Sequence, residues 1–379
     1  MSRRGSNEGT IHRRNDGRWA AALSLGYQGG RRRRKYLYGR TRAEVARKLQ
    51  EAQRTLRDGG ILPTERQTVG TLLDTWLSDS AARKVRQSTL RRYRGIVDLH
   101  LVPALGRLEL TKLSPAHVER MMNEALSRGV SPRSAAHHRA VLRTALNVAM
   151  RWGWAGRNAA ALADPPRIQE REVRPLTPTD ARALLAAVSG DRLEALFTVA
   201  LACGLRQGEA LGLRWPDVDL GIGAVTVRRS LQRIAREWQF VPPKTRRSRR
   251  TLPLPPPVVR ALREHRTRQL KERLIAGRAW EGKEWEELVF SDELGRPLSG
   301  HHVLRRFKAL LTEAGLPAMR YHDLRHGAAS LMAVQGVPPR VAMELLGHAQ
   351  ISTTMEIYAH VAPELQRDAA ERMTEALWG

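Results

Sequence analysis

Two breaks in the hydrophobic pattern constrain this chain more than any other feature. Gly59-Gly60 with Pro63 makes the first, and a polar, proline-containing stretch over 164–177 makes the second. Such runs punctuate structure rather than carry it. A chain so divided cannot bury its apolar residues in one core, and the spacing predicts separate units over 1–62, 66–163 and 171–379. With 379 residues, 42% of them hydrophobic, two or three cores can be filled, which excludes a disordered polypeptide.

The first unit reads as three strands and a helix. Asn15-Asp16-Gly17 is a tight-turn signal between strand-like pieces at 10–13 and 18–24. A second turn, with Gly26, Gly29 and Gly30, leads into a strand over 31–38. Thr41-Arg42-Ala43-Glu44 has the form of a capping box opening a helix to about residue 57. The third strand carries Arg31-Arg32-Arg33-Arg34-Lys35, followed by Tyr36 and Tyr38. A charge run is often only a solvated face. On a β-ribbon with interleaved aromatics, it predicts contact with nucleic acid.

The second unit reads as all-helical. Leu72, Leu73, Trp76 and Leu77 share one face of a helix over 69–80, and Leu90, Tyr93, Ile96 and Val97 belong to a helix starting at Ser88. Ser114-Pro115 opens a third helix, and 134–152 form a fourth. Arg83, Lys84, Arg86, Arg91, Arg92 and Arg94 lie between and beside the first two, a pattern suited to gripping a phosphate backbone. The third unit is mostly helical with one β patch, around 224–231, 239–244 and 251–254.

Composition decides the class of partner. The formal net charge is +27, and 57 of the basic residues are Arg against 8 Lys. That balance fits a polyanion, and the guanidinium fork suits phosphates and guanine edges. Cys203 is the one cysteine, which excludes a disulfide framework and a thiolate zinc site. Arg3-Arg4 is followed by no apolar stretch, and no run has the length of a membrane span. The expected location is the cytoplasm, on nucleic acid.

The third unit concentrates phosphate-suited groups. In Cys203-Gly204-Leu205-Arg206-Gln207-Gly208-Glu209, a glycine frees the backbone to present Arg206, and Glu209 is placed to orient it. In Tyr321-His322-Asp323-Leu324-Arg325-His326, His322 and Arg325 share a helical face. Leu345-Leu346-Gly347-His348 ends a helix at Gly347 and puts His348 at its edge. Tyr358 follows ten residues later. Each motif alone is common on ordinary helices.

In order and spacing, however, Arg206, Lys244, His322, Arg325, His348 and Tyr358 resemble the signature of the tyrosine recombinase (phage integrase) family. The resemblance spans 170–379 and extends more weakly over 66–165; Cys203 stands where the family carries Thr or similar. It implies a multidomain, mainly α fold with small β parts: an arm-type DNA-binding domain, a helical core-binding domain and a mixed α/β catalytic domain. It also implies that Arg206 and Arg325 clamp the non-bridging oxygens with His348, that Tyr358 attacks phosphorus, and that Lys244 protonates the leaving oxygen. His322 would move a proton or position the phosphate. Arg246 and Arg247 would meet DNA, and neither metal nor ATP is required.

The basic front unit resembles the arm-binding domain of phage and integrative-element integrases. The implied partners are double-stranded core and arm sites, a homotetramer on DNA, a directionality factor and a host DNA-bending protein. The readings that compete are a type IB topoisomerase-like enzyme and a non-catalytic DNA-binding regulator.

Overall fold

The computed structural model describes residues 10–28, 31–57, 67–169, 176–235, 237–243 and 248–378. The chain divides into two compact units, Met1–Arg171 and Glu172–Gly379.

At the front, β1 (Thr10–Arg13), β2 (Trp19–Gln28) and β3 (Arg31–Gly39) form an antiparallel meander beside α1 (Arg42–Arg57). Gly17, at φ +81°, closes the β1–β2 turn, where Arg14 and Arg18 are hydrogen-bonded. Gly26 lies inside β2 rather than in the predicted turn, at a point where the pairing with β3 slips between Ser24 and Tyr27. A bulge there absorbs the glycine. Gly29 and Gly30 lie outside the described residues. Ala21 and Leu23 pack with Val45, Leu49 and Ala52 of α1. Arg34, Tyr36 and Tyr38 pair with Ser24, Ala22 and Ala20 and are exposed, whereas Lys35 pairs with Leu23. Strand alternation therefore puts Lys35 on the other face from Arg34, and partial burial lowers its pKa.

The helical bundle begins with α2 (Val69–Thr75), capped by the Thr68 hydroxyl, and runs through a π-helical turn at Trp76–Ala81 into α3 (Ala82–Lys84). The expected helix thus continues past residue 80. The wider turn lets Trp76, Leu77, Ser80 and Ala81 all bury. Next come α4 (Gln87–Ile96), a second π-helical turn, α5 (Val102–Leu105), α6 (Pro115–Ser127), α7 (Pro132–Arg151) and α8 (Ala159–Leu162). Trp76 stacks on Tyr93 at 5.4 Å. Arg83, Lys84, Arg86, Arg91, Arg92 and Arg94 are all exposed.

In the C-terminal unit, α9 (Pro178–Ala187), α10 (Glu194–Cys203) and α11 (Gln207–Leu211) precede the β structure. The single β patch expected there is two sheets. β4 (Val218–Asp219), β5 (Ala224–Val227) and β8 (Arg250–Pro253) form one, and β6 (Ser230–Ile234) with β7 (Glu237–Val241) forms a hairpin. The chain breaks at Arg228-Arg229, whose guanidiniums reach the buried Asp217 carboxylate at 3.3 and 3.8 Å. Then follow α12 (Pro256–Ala276), α13 (Gly300–Glu313), α14 (Tyr321–Val334), α15 (Pro339–Leu346) and α16 (Ile351–Trp378). α16 runs through Pro363 without a break and carries Tyr358. Proline removes one backbone hydrogen bond there, and its neighbours are good helix formers.

Among the described residues, no helix is long and apolar enough to cross a membrane.

Candidate active site

Two left-handed glycines build the site. Gly204 (φ +60°) ends α10, and Gly347 (φ +66°) ends α15. An L-residue with a side chain strains this conformation, so both turns favour glycine. The turns meet: a Cβ on Gly204 would collide with Cδ2 of Leu346.

Arg206 follows the first turn. Its Nη1 donates to Oε1 of Glu209 at 2.6 Å and its Nη2 to the carbonyl of Gly347 at 3.0 Å. The predicted orienting role of Glu209 thus has a geometry. Burial opposes the charge on Glu209, but Arg250 and Arg206 outweigh it, and the carboxyl stays below its ordinary pKa. Glu209 is therefore ionised at neutral pH.

Arg325 sits one turn into α14, 3% exposed. Its Nη1 donates to the Gly204 carbonyl at 2.6 Å, while its Nη2 is buried without a hydrogen-bond partner among the described residues. Burial and the repulsion of Arg206 bring the pKa of this guanidinium down to about 9. A buried cation with an unused donor is costly unless an anion completes it.

His348 follows the second turn, and its Nδ1 meets the hydroxyl of the fully buried Thr354 at 2.8 Å. Burial, then Arg325 and Arg206, push its pKa down to about 4. His322 opens to solvent on the face of α14 shared with Arg325. Its pKa is also about 4, through local desolvation, then His326 and Arg325. Both imidazoles are neutral at pH 7, the form that accepts a proton.

Arg206, Glu209, His322, Arg325 and His348 therefore belong to one electrostatic cluster. Tyr358 stands apart in its bonding. It is 7% exposed, packs with Ala333 and Ala342, and donates its hydroxyl to the Val337 carbonyl at 2.7 Å. Lys244, Arg246 and Arg247 lie outside the described residues. Tyr321 is buried at the start of α14, against Phe197 and Phe307.

Sequence reasoning missed Arg250, which donates to Glu209, and Thr354, which holds His348. Thr354 lies six residues after His348 and offered a local signal. Arg250 offered none, because two of its three partners come from α11 and α15.

This convergence of guanidiniums and imidazoles is chemically suited to an anion such as a phosphodiester, and comparison identifies the class. The sequence model described as the phage integrase family matches residues 174–364, and that of the phage integrase N-terminal SAM-like domain matches 68–126. The chain belongs to the phage integrase family of tyrosine recombinases, enzymes of site-specific DNA recombination. It is 30% identical to a XerC-like tyrosine recombinase of Caldanaerobacter subterraneus subsp. tengcongensis, over 92% of this chain and 93% of that one. An integrase of Saccharopolyspora erythraea is 29% identical over 100% of this chain and 98% of its own. Among solved structures, the fold is similar to the Tn1549 transposon integrase in complex with a circular intermediate DNA (TM-score 0.70, 20% identity, 81% of this chain and 99% of that one). It is also similar to a lambda integrase tetramer bound to a Holliday junction (TM-score 0.55, 20% identity, 94% and 96%).

Proposed function

We propose that this recombinase cleaves and rejoins DNA through a covalent bond between Tyr358 and a 3′ phosphate, to integrate and excise a mobile element. The observation that carries the residue assignment is the unused, buried Nη2 of Arg325 beside Arg206 and His348. Displacement at phosphorus builds charge on the non-bridging oxygens, and these three groups are the donors at hand. The Tyr358 oxygen forms the new bond to phosphorus, and the bond to the 5′ oxygen breaks. The phenolic proton passes to a neutral imidazole, with His322 the acceptor, and Lys244 supplies the proton to the departing 5′ oxygen. Guanidiniums neutralise the phosphate, so the reaction proceeds without metal. The tyrosyl ester conserves the energy of the broken bond, so it proceeds without ATP.

The basic run Arg31 to Arg34 of β3, with Lys35 turned to the face opposite Arg34, and the exposed Arg83, Lys84, Arg86, Arg91 and Arg92 of the helical bundle fit a protein that holds arm and core sites of double-stranded DNA together. The working form is a homotetramer on DNA in the cytoplasm. Direction is set by a small excision factor and a host DNA-bending protein. The test is incubation without metal on nicked duplexes spanning the end junctions of the element that carries the gene. A covalent protein–DNA band lost in Tyr358→Phe and kept in Tyr321→Phe supports the assignment. DNA bound on every junction with no covalent band rejects it in favour of a regulator.

A further inference from the structure

Arg250 is the first residue of β8, six positions after Lys244 in the sequence. Its side chain is 7% exposed. Nε donates to the Leu345 carbonyl at 2.6 Å, Nη1 to the Ser248 carbonyl at 3.1 Å and Nη2 to Oε2 of Glu209 at 3.2 Å. Each nitrogen is thus engaged by the protein, unlike Arg325 Nη2.

Its acceptors fall on the elements that aim the phosphate ligands. Glu209 gives Oε1 to Arg206 and Oε2 to Arg250, so one carboxylate lies between two guanidiniums. At the end of α15, the Leu345 carbonyl accepts from Arg250 and the Gly347 carbonyl from Arg206. These are carbonyls that a helix end leaves without partners, and cations there also offset the helix dipole. His348 is the next residue along. Gly347 fits closely against this guanidinium: a Cβ there would lie 2.9 Å from Arg250 Nη1.

We propose that Arg250 is a positioning residue for strand cleavage: it locks the Glu209 carboxylate to the last turn of α15, so that Arg206 and His348 address the same phosphate. The proposal rests on the recombinase reading of this site. Arg250 meets no DNA itself. It acts through Glu209 and through the α15 turn, and it ties both to the strand that follows the Lys244 segment.

The test is single-turnover cleavage by the full-length protein of two nicked junction duplexes, one ordinary and one with a methylphosphonate at the scissile position. The methylphosphonate lacks the non-bridging charge that the guanidiniums neutralise. Arg250→Lys is expected to cut the ordinary duplex about 10- to 100-fold more slowly, with half-saturating DNA changed less than about twofold. On the methylphosphonate the deficit is expected to shrink to about threefold or less, since less charge has to be placed. Arg250→Gln buries no unpaired cation and is read in the same way if the lysine variant does not fold. An equal deficit on both duplexes, alongside a lowered melting temperature, makes Arg250 a scaffold residue and overturns the proposal. Unchanged cleavage by either folded variant also overturns it. Failure of the recombinase reading is distinct: the unmodified protein then binds the junctions but forms no covalent product, and the proposal falls with it.

Discussion

The hydroxyl of Tyr358 is hydrogen-bonded to the main-chain carbonyl of Val337, between α14 and α15, at 2.7 Å. Burial raises its pKa, so the phenol is protonated and engaged in the DNA-free chain. In the proposed reaction, attack on phosphorus requires that bond to break. Removing the hydroxyl leaves a carbonyl short of a partner, which costs about 1 kcal/mol. Tyr358→Phe should therefore abolish covalent product and also lower the melting temperature of the catalytic unit by about 2–4 °C. Differential scanning calorimetry checks this, and a variant more stable than the parent would exclude the tucked position in solution.

Tyr321 should behave in the opposite way. Its hydroxyl is buried with no hydrogen-bond partner among the described residues, and burial drives its ionisation far above the ordinary range. Tyr321→Phe removes an unsatisfied polar atom and keeps the ring packing, so stability should hold or rise by about 1 kcal/mol. Cleavage should persist. Loss of cleavage in a fully folded Tyr321→Phe protein would reopen the choice of nucleophile.

Arg325→Lys keeps a cation but loses the planar fork that reaches the Gly204 carbonyl and leaves Nη2 for an anion. The strand-cleavage rate should fall by about 100- to 1,000-fold, with DNA affinity nearly unchanged, because many other basic residues supply binding. Filter binding and single-turnover cleavage on the same preparation separate the two. Equal losses in both would mean that Arg325 serves affinity rather than chemistry.

Acid should destabilise the free protein before its carboxylates titrate. His138, His265 and His348 are buried, and burial lowers each from 6.5 to about 4. The unfolded chain binds protons first, so stability is complete above about pH 6.5 and declines towards about pH 4. Melting temperatures should drop by about 5 °C or more between about pH 7.5 and pH 5. A flat profile across that interval is incompatible with neutral, buried imidazoles.

The motif residues were legible because each depends on local constraints. Gly204 and Gly347 mark turns, Arg206 and Glu209 are one helical turn apart, and His322 and Arg325 share a face. The elements of the first unit were equally legible, since the turn at Gly17 and the Thr41 cap on α1 are local. Arg250 was hidden because two of its three acceptors, Glu209 and Leu345, lie far away in the chain. The break between β5 and β6 was hidden for a similar reason: it depends on Asp217 drawing Arg228 and Arg229. The tuck of Tyr358 depends on a main-chain carbonyl, which no side-chain pattern reveals.

The contact between Gly204 and Leu346 has a consequence for how such a site can change over evolutionary time. Each residue occupies the room the other leaves, although most of the catalytic unit separates them in sequence. A larger residue at 204 strains the left-handed turn and displaces the Leu346 side chain, so a smaller residue at 346 eases the change. The two turns that carry Arg206 and His348 are therefore expected to change together, and exchanging one without the other should misalign the proposed clamp.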